Sequence, residues 1–153
     1  MDLRPIREGD EAPRFEAVDH AGRRWRMEEL LGRWVVVFFY PRDFSPVCTA
    51  QSCAFRDSTP RLLAKGAVVL GVSGDDEGSH KAFIEKHALP YPLISDADGS
   101  LARAFGVKRG LLGLLPGRAT VVIDPKGRVA MVYRSAFWGK EHAARAVKVV
   151  EGE

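Results

Sequence analysis

The chain predicts an α/β fold, a central mixed β-sheet flanked by helices on both faces. Two observations carry that expectation. Continuous apolar, β-branched runs recur at "RWVVVFFYP" (33–41) and "AVVLGVS" (67–73), as strands buried on both faces require. Helical patterns alternate with these runs before the chain closes on a hairpin and a last helix, an order that mixes parallel with antiparallel pairing.

The elements follow in order. "RFEAVDHAGRRWRM" reads as two short strands around the turn Asp19-His20-Ala21-Gly22. The apolar run 33–41 is a central strand stopped by Pro41. A helical pattern runs from Ser45 to about Lys65 and is closed by Gly66. After the second buried strand, "GSHKAFIEKHALP" is a helix with Phe83, Ile84 and His87 near one face and Pro90 as its end. "SDADGSLARAFGV" gives a turn and a short helix. "RATVVIDPKGRVAMVYR" is a hairpin turning at Asp124-Pro125-Lys126-Gly127, and the final helix spans about 140–150.

At 153 residues the chain suits one domain, 1–153, with a real hydrophobic core. It is 46% apolar and 28% charged, the balance of an ordinary soluble protein, and no apolar run reaches membrane-spanning length. Its net charge of +3 comes from interspersed residues without a like-signed block, so neither nucleic acid nor membrane is expected as a partner. The start "MDLRPIREGDEAPRF" shows no apolar signal core, and two cysteines suit a reducing compartment, so a cytoplasmic location is expected.

Both cysteines fall in "YPRDFSPVCTAQSCAFRD" (40–57), just beyond the central strand. In open α/β sheets, sites lie past the carboxyl ends of the strands. Ser45-Pro46 is a helix-start signature, with Ser as N-cap and Pro at the first helical position. Cys48 is then expected in the first turn, among backbone N–H groups without intrahelical partners and at the positive end of the helix dipole, where thiolate is favoured. Cys53, more than a turn further on, is expected to be the more buried thiol.

Ionisation alone is a modest gain. A thiol of ordinary pKa near 8.5 is about 3% ionised at neutral pH, so full ionisation gives about thirtyfold. The rest must come from groups that stabilise charge as it moves. Ser45 is a local candidate, and Arg118, opening the strand "RATVVID", is a distant one.

Residues five apart on an α-helix have Cα atoms about 8–9 Å apart, whereas a disulfide tolerates at most about 7 Å. A resting bridge between Cys48 and Cys53 is therefore excluded while the helix is intact. Taken alone, the pair fits two inert buried thiols better than a reactive pair. His20, His80, His87 and His142 show no metal-ligand spacing, and Asp75, Asp76 and Glu77 read as charges favouring a helix start.

The surrounding motif changes the balance. "PRDFSPVC" resembles the peroxiredoxin pattern Pro-x-x-x-Thr/Ser-x-x-Cys, met by Pro41, Ser45 and Cys48, and "CTAQSCAFRD" is similar to the bacterioferritin comigratory protein, or Q-type, subgroup. The resemblance extends over about 9–132, through "GDEAPRFEAVDHAG", "VVLGVSGDDEGSHKAFIEKHALPYPLISDADG" and "RATVVIDPKGRV".

It implies a thioredoxin-like fold and a thiol-dependent peroxidase acting on hydrogen peroxide and organic hydroperoxides. By that resemblance Cys48 attacks the peroxide and becomes a sulfenic acid. Ser45 hydrogen-bonds the peroxide, Arg118 stabilises thiolate and departing oxygen, and Pro41 shields the site from water. Cys53 condenses with the sulfenic acid into an intramolecular disulfide, which thioredoxin or a similar dithiol reductant reopens. No metal or other cofactor is required, because sulfur carries both electrons. A monomer or weak homodimer is expected.

Two departures stand out. Ser45 lacks the methyl of the usual Thr, and Val47 replaces a common Gly, which narrows the entrance and opposes unwinding. The apolar stretch "KRGLLGLLPG" (108–117) is a candidate wall for the peroxide site, a dimer contact, or packing under the sheet edge. Two rival functions remain: a thiol–disulfide oxidoreductase, which would lack its usual Cys-x-x-Cys, and a non-enzymatic redox sensor.

Overall fold

The structure is a computed structural model that describes residues 6–107, 118–135 and 139–152. The apolar stretch 108–117 lies outside them. Among the described residues, seven strands and four α-helices follow the order β1 (Glu16–Val18), β2 (Arg24–Arg26), a 3₁₀ turn (Met27–Leu30), β3 (Val35–Phe39), α1 (Pro46–Ala64), β4 (Val68–Ser73), α2 (Glu77–His87), β5 (Leu93–Ser95), α3 (Ser100–Ala104), β6 (Ala119–Ile123), β7 (Val129–Arg134) and α4 (Gly139–Glu151).

β1 and β2 form a separate antiparallel hairpin. The main sheet has the order β5-β4-β3-β6-β7, with β3 parallel to β4, β4 parallel to β5, and the pairs β3–β6 and β6–β7 antiparallel. Every residue of β3, β4 and β6 is buried, as their unbroken apolar runs require when both faces are covered. One core layer joins Val36, Phe38 and Tyr40 to Phe55 and Leu62 of α1, Phe83 of α2 and Ala146 and Val150 of α4. The other joins Val35, Val37 and Phe39 to Phe15, Trp25, Leu30 and Phe105. No helix among the described residues is long and apolar enough to cross a membrane.

The expected elements are present, with two differences. β5 was not anticipated: three residues behind Pro92 are too few to show a period, and pairing with β4 makes them a strand. Helix α2 ends at His87 rather than at Pro90 because Ala88 takes a left-handed conformation (φ 52°) and caps it.

The topology brings the site together. β3 lies at the centre, and its last residue Phe39 pairs with Ala119, the first of β6. Arg118, 70 positions from Cys48 in sequence, therefore opens next to the loop that leads into α1.

Candidate active site

The loop from β3 to α1 is fastened by Asp43. Its buried carboxylate accepts from the Tyr40 hydroxyl at 2.6 Å, from Ser79 Oγ at 2.8 Å, and lies 2.7 Å from His80 Nδ1. The Asp43 N–H donates to Asp75 Oδ2 at 2.7 Å, and Ser73 Oγ donates to the same oxygen at 2.6 Å. His80 Nε2 faces the Ile94 carbonyl at 3.0 Å; a carbonyl only accepts, so that nitrogen carries a proton. Burial, reinforced by the Asp43 carboxylate, raises the Tyr40 phenol well above its ordinary range and keeps it a donor.

Ligand-type atoms of Asp43, Asp75 and His80 lie within 4.8 Å of one another, a grouping that could hold a metal ion. Asp43 Oδ2 and Asp75 Oδ2 already accept from protein donors, so the set works as a hydrogen-bonded latch from the loop to β4 and α2. Asp76 behaves as expected, accepting from Ser79 N at 2.8 Å, but Asp75 serves the loop instead of the helix start. Phe44, next in the loop, has a left-handed backbone (φ 68°), a strained state for a non-glycine residue, and lays its ring against Phe83 of α2.

Ser45 occupies the N-cap position of α1 but does not cap it with its side chain. Its Oγ donates to the Arg42 carbonyl at 3.0 Å, and the first helical bond is Thr49 N to Ser45 O at 2.8 Å. The expectation of a Ser45 side-chain cap is thus corrected. A hydroxyl that donates to Arg42 leaves its lone pairs available to an incoming O–H, and the first-turn N–H groups of Val47 and Cys48 are not spent on it. Pro41 is half-buried at the bend that begins the loop.

Cys48 is fully buried in the first turn of α1. Arg118 Nη2 donates to its sulfur at 3.1 Å, while Nη1 of the same guanidinium donates to Gln51 Oε1. Gln51, also fully buried, holds the cation from the helix side; its Nε2 has no partner among the described residues. Behind Arg118, Thr120 Oγ1 meets His142 Nδ1 at 2.8 Å, and His142 Nε2 lies 2.9 Å from the Ser135 carbonyl. Burial, with the Arg118 charge adding to it, lowers the His142 pKa to about 4, so this imidazole is neutral near pH 7. At Gly139, the first residue of α4, an added Cβ would lie 3.0 Å from the Val47 carbonyl and 2.9 Å from Gln51 N, so the start of α4 presses on the Cys48 turn.

Both cysteines are free thiols on one continuous helix. Their burial reverses the expectation: Cys48 is the inner thiol and Cys53 is half-buried. Depth along a helix is not depth in the core. The buried face of α1 runs through Cys48, Gln51, Ser52, Phe55, Thr59 and Leu62, and five steps of about 100° put Cys53 about 140° away from Cys48, on the flank. There its sulfur lies 3.8 Å from His87 Nδ1. It also lines a groove between α1 and α4 that includes Ala54, Lys140, Ala143 and Val147.

Sequence reasoning missed Gln51, Asp43 and His87. Gln51 stands three residues after Cys48, a spacing that puts two side chains on one helix face, and was legible on that ground. Asp43 meets His80, and His87 meets Cys53, through the placement of α2.

Comparison with known proteins follows the same lines. Residues 8–132 match the AhpC/TSA family. Chloroplastic peroxiredoxin Q of Gentiana triflora is 42% identical over 146 residues, covering 95% of this chain and 67% of the relative. Among solved structures, peroxidoxin BcpB of Mycobacterium tuberculosis superposes with a TM-score of 0.87 at 39% identity, covering 96% of this chain and 97% of that one. The Xanthomonas campestris bacterioferritin comigratory protein, known for alkyl peroxide reduction, gives a TM-score of 0.80 at 29% identity over 90% of each chain.

Proposed function

The chain belongs to the AhpC/TSA family, and on that premise we propose that Cys48 is the peroxidatic cysteine of a thiol-dependent peroxidase and Cys53 the cysteine that resolves it. The observation that carries the assignment is the 3.1 Å approach of Arg118 Nη2 to Cys48 Sγ, with Gln51 holding the other guanidinium nitrogen.

The chemistry follows from that arrangement. The Cys48 thiolate attacks the terminal peroxide oxygen, the O–O bond breaks, and the departing hydroxide or alkoxide takes a proton from solvent to leave as water or an alcohol while Cys48 becomes a sulfenic acid. Negative charge moves from sulfur to the leaving oxygen, and a guanidinium already beside the sulfur stabilises it throughout without reorganising. The Ser45 lone pairs take the peroxide O–H, and half-buried Pro41 keeps bulk water from the loop. The first turn of α1 then unwinds and Cys53 attacks the sulfenic acid, forming the disulfide and releasing water.

We assign hydrogen peroxide and organic hydroperoxides as substrates, the latter supported by the alkyl peroxide reduction associated with the Xanthomonas campestris neighbour. Thioredoxin or a similar dithiol protein is the proposed reductant, and the Cys53 groove between α1 and α4 offers it a way in. A cytoplasmic location is supported here by cysteine usage alone; the plant relative described above is chloroplastic. A monomer or weak homodimer is the proposed assembly.

Mass analysis after one equivalent of peroxide tests this reading. The expected result is loss of two hydrogens, mapped to a link between Cys48 and Cys53 within one chain, and no peroxide consumption by Cys48→Ser. A crosslink between chains, or a sulfenic acid that never resolves, would overturn the assignment of Cys53.

A further inference from the structure

We propose that His87 is a further catalytic residue, the proton acceptor for the Cys53 thiol during disulfide formation; this rests on the reading of Cys53 as the resolving cysteine. The juxtaposition is His87 Nδ1 at 3.8 Å from Cys53 Sγ, within hydrogen-bonding range for sulfur, with both side chains half-buried.

Resolution needs a base. The step is Cys53–SH plus Cys48–SOH giving a disulfide and water. The Cys53 S–H bond breaks, its proton passes to His87 Nδ1, and the sulfur pair forms the new S–S bond. The Cys48 S–O bond breaks, and hydroxide leaves, recovering one proton from the imidazolium through solvent. Cys53 sulfur is oxidised and Cys48 sulfur reduced. A thiolate attacks where a thiol does not, so a base already in contact with Cys53 acts on the slow partner of the pair.

The surroundings keep that contact in place while Cys48 moves. Tyr91 donates its hydroxyl to the Ser52 carbonyl at 2.6 Å, and Arg56 Nη1 donates to the His87 carbonyl at 3.0 Å. Both bonds tie the Cys53 stretch of α1 to the end of α2 and the loop after it, without using the first turn of α1. His87 is the last residue of α2, where the negative end of the helix dipole suits the cation formed on proton transfer, and its ring rests edge-on against Phe83 at 5.2 Å. The charged or titratable groups around the pair are Arg56 and Asp57 from α1, Lys86 from α2, Tyr91 from the loop and Lys140 from α4; burial raises the Tyr91 phenol and keeps it protonated. Amid them, it is the His87 ring nitrogen that meets the Cys53 sulfur.

The test is the lifetime of the Cys48 sulfenic acid, followed by rapid quench and mass analysis after substoichiometric peroxide, in wild type, His87→Phe and His87→Gln. The expected result is unchanged Cys48 oxidation but resolution slowed by roughly a hundredfold near neutral pH in both variants. The deficit should shrink as pH rises and hydroxide takes over as the base, and added imidazole should restore part of the rate. Wild-type resolution in either folded variant, or a loss equal at every pH and deaf to imidazole, would overturn the role. A wild type that forms no link between Cys48 and Cys53 would instead sink the assignment of the resolving cysteine on which the role rests.

Discussion

The two cysteines share one helix, yet their turns are built differently. The Cys48 turn is buried, faces a guanidinium held by Gln51, and is entered through a loop latched by Asp43 and strained at Phe44. The Cys53 turn is half-exposed, meets an imidazole, and is bolted to α2 and the following loop through Arg56 and Tyr91. In the proposed reaction one end stabilises moving charge and then lets go. The other is arranged to stay. Because the helix forbids a bridge while intact, only one turn need move, and in the proposed reaction that turn is the one carrying Cys48.

The most forceful way to break the contrast is to remove the cation. Arg118→Ala should lower the rate of Cys48 oxidation by about 10²–10³, the cost of losing one preorganised donor at a developing charge, and leave the fold intact. Stopped-flow peroxide consumption with circular dichroism as the control checks both parts. A loss under threefold would mean that the Cys48 turn owes little to Arg118.

A smaller effect sharpens the contrast through His142, which sits under Arg118 by way of Thr120. Unfolded, its imidazole titrates near its ordinary 6.5; folded, near 4. Between those values the unfolded chain binds more protons, so stability falls as pH drops through the window, by up to about 3 kcal/mol. Denaturant unfolding from pH 7 to pH 4 should show this slope, and His142→Gln should flatten it. An identical slope in the variant would remove His142 from the account.

Much of this was legible beforehand. The buried strands, the helix carrying both thiols, the motif that holds Pro41, Ser45 and Cys48, and Arg118 at the head of an apolar strand are local patterns or fixed spacings. What escaped was relational. The order of burial of Cys48 and Cys53 depends on which helix face meets the sheet, and distance along the helix misreports it. Ser45 looked like a cap because its type and the following proline fit one, but its hydroxyl found the Arg42 carbonyl first. Asp43 and His80 are 37 positions apart and join only because β4 runs parallel beside β3 and α2 returns against the loop. No periodicity in a single sequence encodes that meeting.

On the proposed function, of two thiols on one helix the buried one beside Arg118 meets the peroxide. The direct measurement is a sulfenic-acid trap, a dione added with one equivalent of peroxide to Cys53→Ser and to Cys48→Ser, with the adduct located by peptide mass. Rapid labelling is expected at Cys48 in Cys53→Ser and none on that timescale in Cys48→Ser. Labelling at Cys53 at a comparable rate would contradict that assignment.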